Sequence, residues 1–129
     1  MKYLAGEEIL VIHARIIDET GGLHGVRDTG LFLSILEKPR MKFGGKDLYQ
    51  GVFAKAAVYF EAFASYHVFV DGNKRTAFAA AARFLFLNGY EVVVSNKDVE
   101  QFVLRSVVQK LDINVIASWL KKHSVIVKK

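Results

Sequence analysis

With 129 residues, 52% of them apolar, the chain is long enough to bury a substantial core and too apolar to remain disordered. It contains no cysteine, which excludes disulfides and thiolate metal sites and fits a reducing, cytoplasmic setting. Of its formal net charge of +5, most comes from Lys121, Lys122, Lys128 and Lys129, a basic end that reads as solubilising, the alternative being a contact for nucleic acid or an acidic partner.

No stripe of interleaved aromatic and basic residues points to direct nucleic-acid binding. No apolar run approaches the ~20 residues of a membrane span, and Glu7 and Glu8 interrupt any basic-then-apolar leader pattern. The expectation is one domain over residues 1–129, without internal repeats or linkers.

Ile9, Ile12, Ile16 and Ile17 recur at helical spacing and predict a first helix from Gly6 to Thr20, ended by Gly21-Gly22. His13 lies on its apolar side and reads as a satisfied core histidine rather than a ligand. Asp28 is placed to cap a short helix from Thr29 to Lys38, and Pro39 breaks the chain after it. Arg27, just before, reads as structural, with a place in the site as the alternative. The stretch from Arg40 to Leu48 is polar and carries Gly44-Gly45, so it reads as a flexible helix-to-helix connection.

Tyr49 to Tyr66 predicts a long helix that is apolar on most sides and therefore central. A second such helix runs from Lys74 to Asn88, with Ala77 and Ala79–Ala82 allowing close packing, and stops at Gly89. Tyr90 to Val94 is extended. Ser95 starts a helix through Val99, Phe102, Val103 and Val107, and Asp112 starts a last one through Ile116, Trp119 and Leu120. Trp119 reads as a core anchor. The class is all-α, a compact bundle whose central helix pair flanks the loop between them.

That loop, His67 to Thr76, concentrates the chemistry. His67 can move a proton near neutral pH. Asp71 can hold a hard divalent cation through oxygen. Gly72 permits a turn that a side chain would obstruct, and Asn73 is a helix N-cap candidate. Lys74 and Arg75 then fall in the first turn of the following helix, where the helix dipole disfavours cations. A bound anion relieves that conflict, and helix N-termini are ready phosphate sites. A junction whose cations simply face water is the bland alternative. The residues by themselves support an all-helical domain with an anion site, a histidine base and a metal-binding carboxylate.

The run His67-Val68-Phe69-Val70-Asp71-Gly72-Asn73-Lys74-Arg75 resembles the signature of the Fic/Doc family, His-x-Phe-x-Asp/Glu-Gly-Asn-Gly/Lys-Arg. It is more similar to the Doc (death-on-curing) branch than to the AMP-transferring Fic branch. Gly25-Val26-Arg27-Asp28-Thr29-Gly30-Leu31, Glu37-Lys38-Pro39-Arg40 and Asn88-Gly89-Tyr90 resemble Doc-type proteins in order and spacing. Val68 departs from the proline common after the histidine.

The resemblance implies a Fic/Doc-like helical fold and a toxin that uses ATP and Mg²⁺ to phosphorylate a threonine of elongation factor Tu, blocking translation. It implies His67 as general base, Asp71 as the Mg²⁺ ligand, and Gly72, Asn73, Lys74 and Arg75 as the phosphate-binding group. It makes the segment Lys42 to Leu48, with Lys42, Phe43, Gly44, Gly45 and Lys46, the flap that aligns the target. The implied partner is a Phd-like antitoxin. No Ser/Thr-x-x-x-Glu-Gly/Asn inhibitory helix occurs in the chain, so inhibition would come from that separate protein. AMP transfer to a protein hydroxyl and a catalytically silent binding module are the competing readings.

Overall fold

In the computed structural model, residues 1–127 are described. Of the four basic-end lysines, Lys128 and Lys129 lie outside them. Six helices form the body: α1 (Gly6–Thr20), α2 (Thr29–Glu37), α3 (Val52–Ser65), α4 (Asn73–Leu87), α5 (Asn96–Val108) and α6 (Ile113–Lys122). Two small antiparallel pairs complete it. One is the hairpin of β1 (Lys42–Phe43) and β2 (Lys46–Asp47); the other joins β3 (Tyr90–Val92) to β4 (Ser124–Ile126).

The chain's local chemistry explains most boundaries. Asp28, Ser95 and Asp112 each accept a backbone hydrogen bond at a helix start, from Leu31, Asp98 and Val115 respectively. Pro39 is buried in a single 3-10 turn after α2. The structure corrects two sequence expectations and adds one element. Helix α3 begins at Val52 and not at Tyr49, because Gly51 at φ 89 cannot extend a right-handed helix backwards. The stretch read as a flexible connection is a hairpin, with Gly44 and Gly45 both at positive φ in its turn. The run after α6 is a strand, paired Tyr90 to Ile126 and Val92 to Ser124.

Helices α3 and α4 are the centre. Ala56, Ala57, Ala62, Ala77, Ala80 and Ala81 are wholly buried, so small side chains let the two backbones approach closely. Tyr59, Phe60, Phe63, Phe84 and Leu85 fill the space around them and are also wholly buried. Phe102 from α5 stacks on Trp119 from α6 at 4.1 Å and 2°. Trp119 is thus a packing residue, as its spacing predicts, though half-buried. Helix α1 is tied to α4 by Arg83 and Glu8 at 2.9 Å. The result is a rigid helix pair that holds the chain between Tyr66 and Asn73 from both ends.

Candidate active site

The loop between α3 and α4 leaves α3 through His67, whose φ of 53 is left-handed. For a non-glycine residue that conformation is strained, by about 1–3 kcal/mol, and must be held by its surroundings. It is held by the segment after Gly22. Arg27 Nε donates to the His67 carbonyl at 2.7 Å. The Arg27 and Asp28 amides donate to the Val68 carbonyl at 2.7 and 3.2 Å, and the Val70 amide donates to Gly25 at 3.1 Å. Val26 and Phe69 thereby form an isolated antiparallel bridge. Arg27 is a scaffold residue, as its sequence context indicates, though it acts through a backbone carbonyl and not an ion pair.

Beneath the loop, Val68 and Phe69 are buried while His67, Val70 and Asp71 are exposed. The buried pair anchors the loop inward and leaves the His67 and Asp71 side chains facing outward. Phe69 packs on Phe63 and Phe32 and stacks on the His13 ring at 3.9 Å and 10°. His13 is 4% exposed, and its Nε2 donates to the Asp71 carbonyl at 2.7 Å. It is the satisfied core histidine of the sequence reading, but it is also a strut under the loop.

Gly72 takes the left-handed conformation at φ 80, and a Cβ there would lie 2.9 Å from Ile17 Cδ1. Both facts require glycine. Gly72, and not Asn73, is the N-cap of α4. The Asn73 side chain instead closes the loop: its Oδ1 accepts from the Phe69 amide and its Nδ2 donates to the Phe69 carbonyl, both at 2.9 Å. Both ends of that amide are therefore committed to Phe69, which makes Asn73 a positioning residue.

No side chain caps the start of α4, and no acid occupies its first turn. Its first free amides and the exposed Lys74 and Arg75 open onto a cleft of ≈ 530 Å³. His67, Asp71, Gly72, Asn73, Lys74 and Arg75 all line this cleft, together with Thr20, Gly21 and Gly22. The volume is in the range of small-molecule sites. Asp71 Oδ2 accepts from the Leu23 amide at 2.7 Å, which fixes the carboxylate at the rim. The flap residues Lys42, Phe43, Gly44, Gly45 and Lys46 do not line the cleft; they lie in the β1–β2 hairpin.

The role of Gly21-Gly22 goes beyond stopping α1. A Cβ on Gly22 would meet Asp71 Cβ at 3.1 Å. One glycine is enough to end a helix, so the second was the only hint in the sequence of a close backbone approach. Among the described residues no three His, Asp or Glu side chains are grouped to cage a metal. A single carboxylate beside an anion site suits Mg²⁺, which takes one or two carboxylates and completes its shell with water and phosphate oxygens.

A model of the Fic/DOC family matches residues 3–85. The chain belongs to the Fic/DOC family. It is 38% identical over 91 residues to Toxin Doc of Mycolicibacterium smegmatis, spanning 70% of this chain and 68% of that one. It is 28% identical over 122 residues to Protein kinase doc of Escherichia phage P1, spanning 95% of each chain. The mostly helical fold is what the Fic/Doc resemblance implies. The family match includes α1 to α4 up to Leu85, so it covers every residue lining the cleft. Among the described residues, no helix is long and apolar enough to cross a membrane.

Proposed function

We propose that this Fic/DOC protein is a Doc-like toxin of a toxin–antitoxin system, an ATP-dependent kinase that phosphorylates a threonine hydroxyl of elongation factor Tu and so blocks translation in the cytoplasm. The observation that carries the reading is the cleft itself: an exposed imidazole, a carboxylate and a doubly cationic helix start share one opening. The similarity to proteins named Toxin Doc and Protein kinase doc supports it.

In this reading the ATP phosphates lie against the α4 amides, Lys74 and Arg75, with Gly72 keeping the backbone low. His67 takes the proton from the target hydroxyl as its oxygen bonds to the γ-phosphorus. The bond from that phosphorus to the β–γ bridging oxygen breaks, and ADP leaves with the bridging oxygen. The cationic donors stabilise the charge on the transferred group. Asp71 would hold Mg²⁺, which when bound neutralises phosphate charge. Asn73 contributes by keeping the loop closed.

AMP transfer is the second reading. In AMP-transferring relatives by resemblance, a glycine follows the motif asparagine and a second arginine follows the motif arginine by three. Here those positions hold Lys74 and Phe78. Phe78 packs against the core and does not line the cleft, so that phosphate clamp is missing. This favours transfer of the terminal phosphate.

A Phd-like antitoxin is the proposed partner. A groove of ≈ 320 Å³ between α4 and α5, lined by Val99, Val103 and Leu104 together with Lys74, Arg75 and Glu100, supports binding of an amphipathic segment whose acids would meet the two cations.

The test is His67→Ala with purified elongation factor Tu and ATP. Loss of phosphate transfer by about 10²–10⁴-fold, with loss of growth arrest on expression, is expected of a general base. Growth arrest that survives the substitution would instead support the silent binding module.

A further inference from the structure

The reading of the β1–β2 hairpin as the segment that aligns the target raises the question of what holds the hairpin still. From Arg40 to Leu48 every residue is exposed except Asp47, which is half-buried. Phe43 is 82% exposed, and a Cβ placed on Gly44 or Gly45 would meet nothing within 4 Å. The strands are two residues each, too short to be stable alone. The hairpin is therefore an arm that needs a tether.

The tether is a lysine inside the core. Lys55 lies in α3 between apolar neighbours and is 1% exposed. Its Nζ donates to the Pro39 carbonyl at 2.8 Å and lies 3.4 Å from Asp47 Oδ2. It also sits 5.6 Å from the centre of the Tyr3 ring. Pro39 and Asp47 bracket the hairpin on both sides, so one buried ammonium fastens both of its ends to the central helix. A buried charge of this kind is weak support for stability, since a well-packed apolar side chain often does as well or better. Its place in the buried central helix thus calls for a positional role.

We infer that Lys55 is a positioning residue that fixes the hairpin for the protein target, without touching the nucleotide. The inference rests on the kinase reading for its last step. Lys55 lies in the helix that leads into the motif and does not line the cleft.

The experiment compares the full chain with Lys55→Met, which keeps the length of the side chain and removes the charge. Asp47→Asn serves as the second variant; its half-buried side chain lies outside the core and keeps an oxygen facing Lys55, so no core side chain is altered if Lys55→Met fails to fold. Amide exchange of residues 41–48 should speed up at least tenfold in each variant, with residues 67–76 unchanged. ATP affinity should stay within twofold. With elongation factor Tu as the probe, KM should rise about tenfold while kcat stays within twofold. Unchanged exchange in the hairpin would overturn the anchoring. Faster exchange with unchanged KM would overturn its service to the target. If the unsubstituted protein transfers no phosphate at all, the kinase reading fails and the exchange result still decides the anchor.

Discussion

At Asp71 one carboxylate oxygen accepts from the Leu23 amide while the residue itself lines the cleft. An asparagine can keep the first contact through its own carbonyl oxygen but lacks the charge that Mg²⁺ requires. Asp71→Asn should therefore melt as the parent does, within about 1 kcal/mol, and lose transfer by roughly 10²-fold or more. Initial rates over a Mg²⁺ titration, beside a thermal melt, check both halves; an unfolded variant would make Asp71 a structural residue. Asn73 gives the opposite pattern. Removing its amide breaks both bonds to Phe69, so Asn73→Ala should cost about 1–3 kcal/mol. Asn73→Asp should cost less, because its oxygen still accepts from the Phe69 amide. Denaturant titration of the two variants orders them. At this scale the sequence was legible in the grouping of His67, Asp71, Lys74 and Arg75, which the structure brings to one cleft. It was not legible for Asn73, because an asparagine just before a helical run is equally suited to cap it or to close the loop behind it. The choice depends on Gly72, which takes the cap position by adopting the left-handed turn.

The helices were readable from period and punctuation, and their boundaries followed the caps at Asp28, Ser95 and Asp112. The hairpin was not, since its strands are too short to carry an alternation, and strand β4 was hidden because its partner β3 lies over thirty residues away. Within α3, Tyr59 shows what tight packing does to a polar group. It is wholly buried, its hydroxyl accepts from the Leu4 amide at 3.3 Å, and burial pushes its pKa from 10.0 up to about 12. The folded state thus holds the phenol proton more tightly than the unfolded chain. The stability this contributes is fully present below pH 10 and is lost as the pH rises from 10 toward 12. Tyr59→Phe should be less stable at neutral pH, by about 1 kcal/mol, yet lose stability less steeply over that alkaline interval. Thermal melts of both proteins across the interval check the difference in slope; parallel curves would show that Tyr59 does not titrate in a linked manner.

Across the whole molecule, two buried helices rich in alanine hold a short loop at both ends, and a second segment, from Gly21 to Asp28, braces it from the side. The strain at His67 and the cation-bearing start of α4, which no side chain caps, are both supported by this frame. In the proposed function this arrangement would hold phosphates at fixed positions and present one base to a hydroxyl. Which phosphorus the hydroxyl attacks is therefore the central question. The most direct measurement is a pair of parallel reactions with elongation factor Tu and ATP labelled at either the α or the γ phosphate. The account predicts label in the protein from the γ position alone, with ADP as the released product. Label from the α position, with pyrophosphate released, would contradict it and make the protein an AMP transferase.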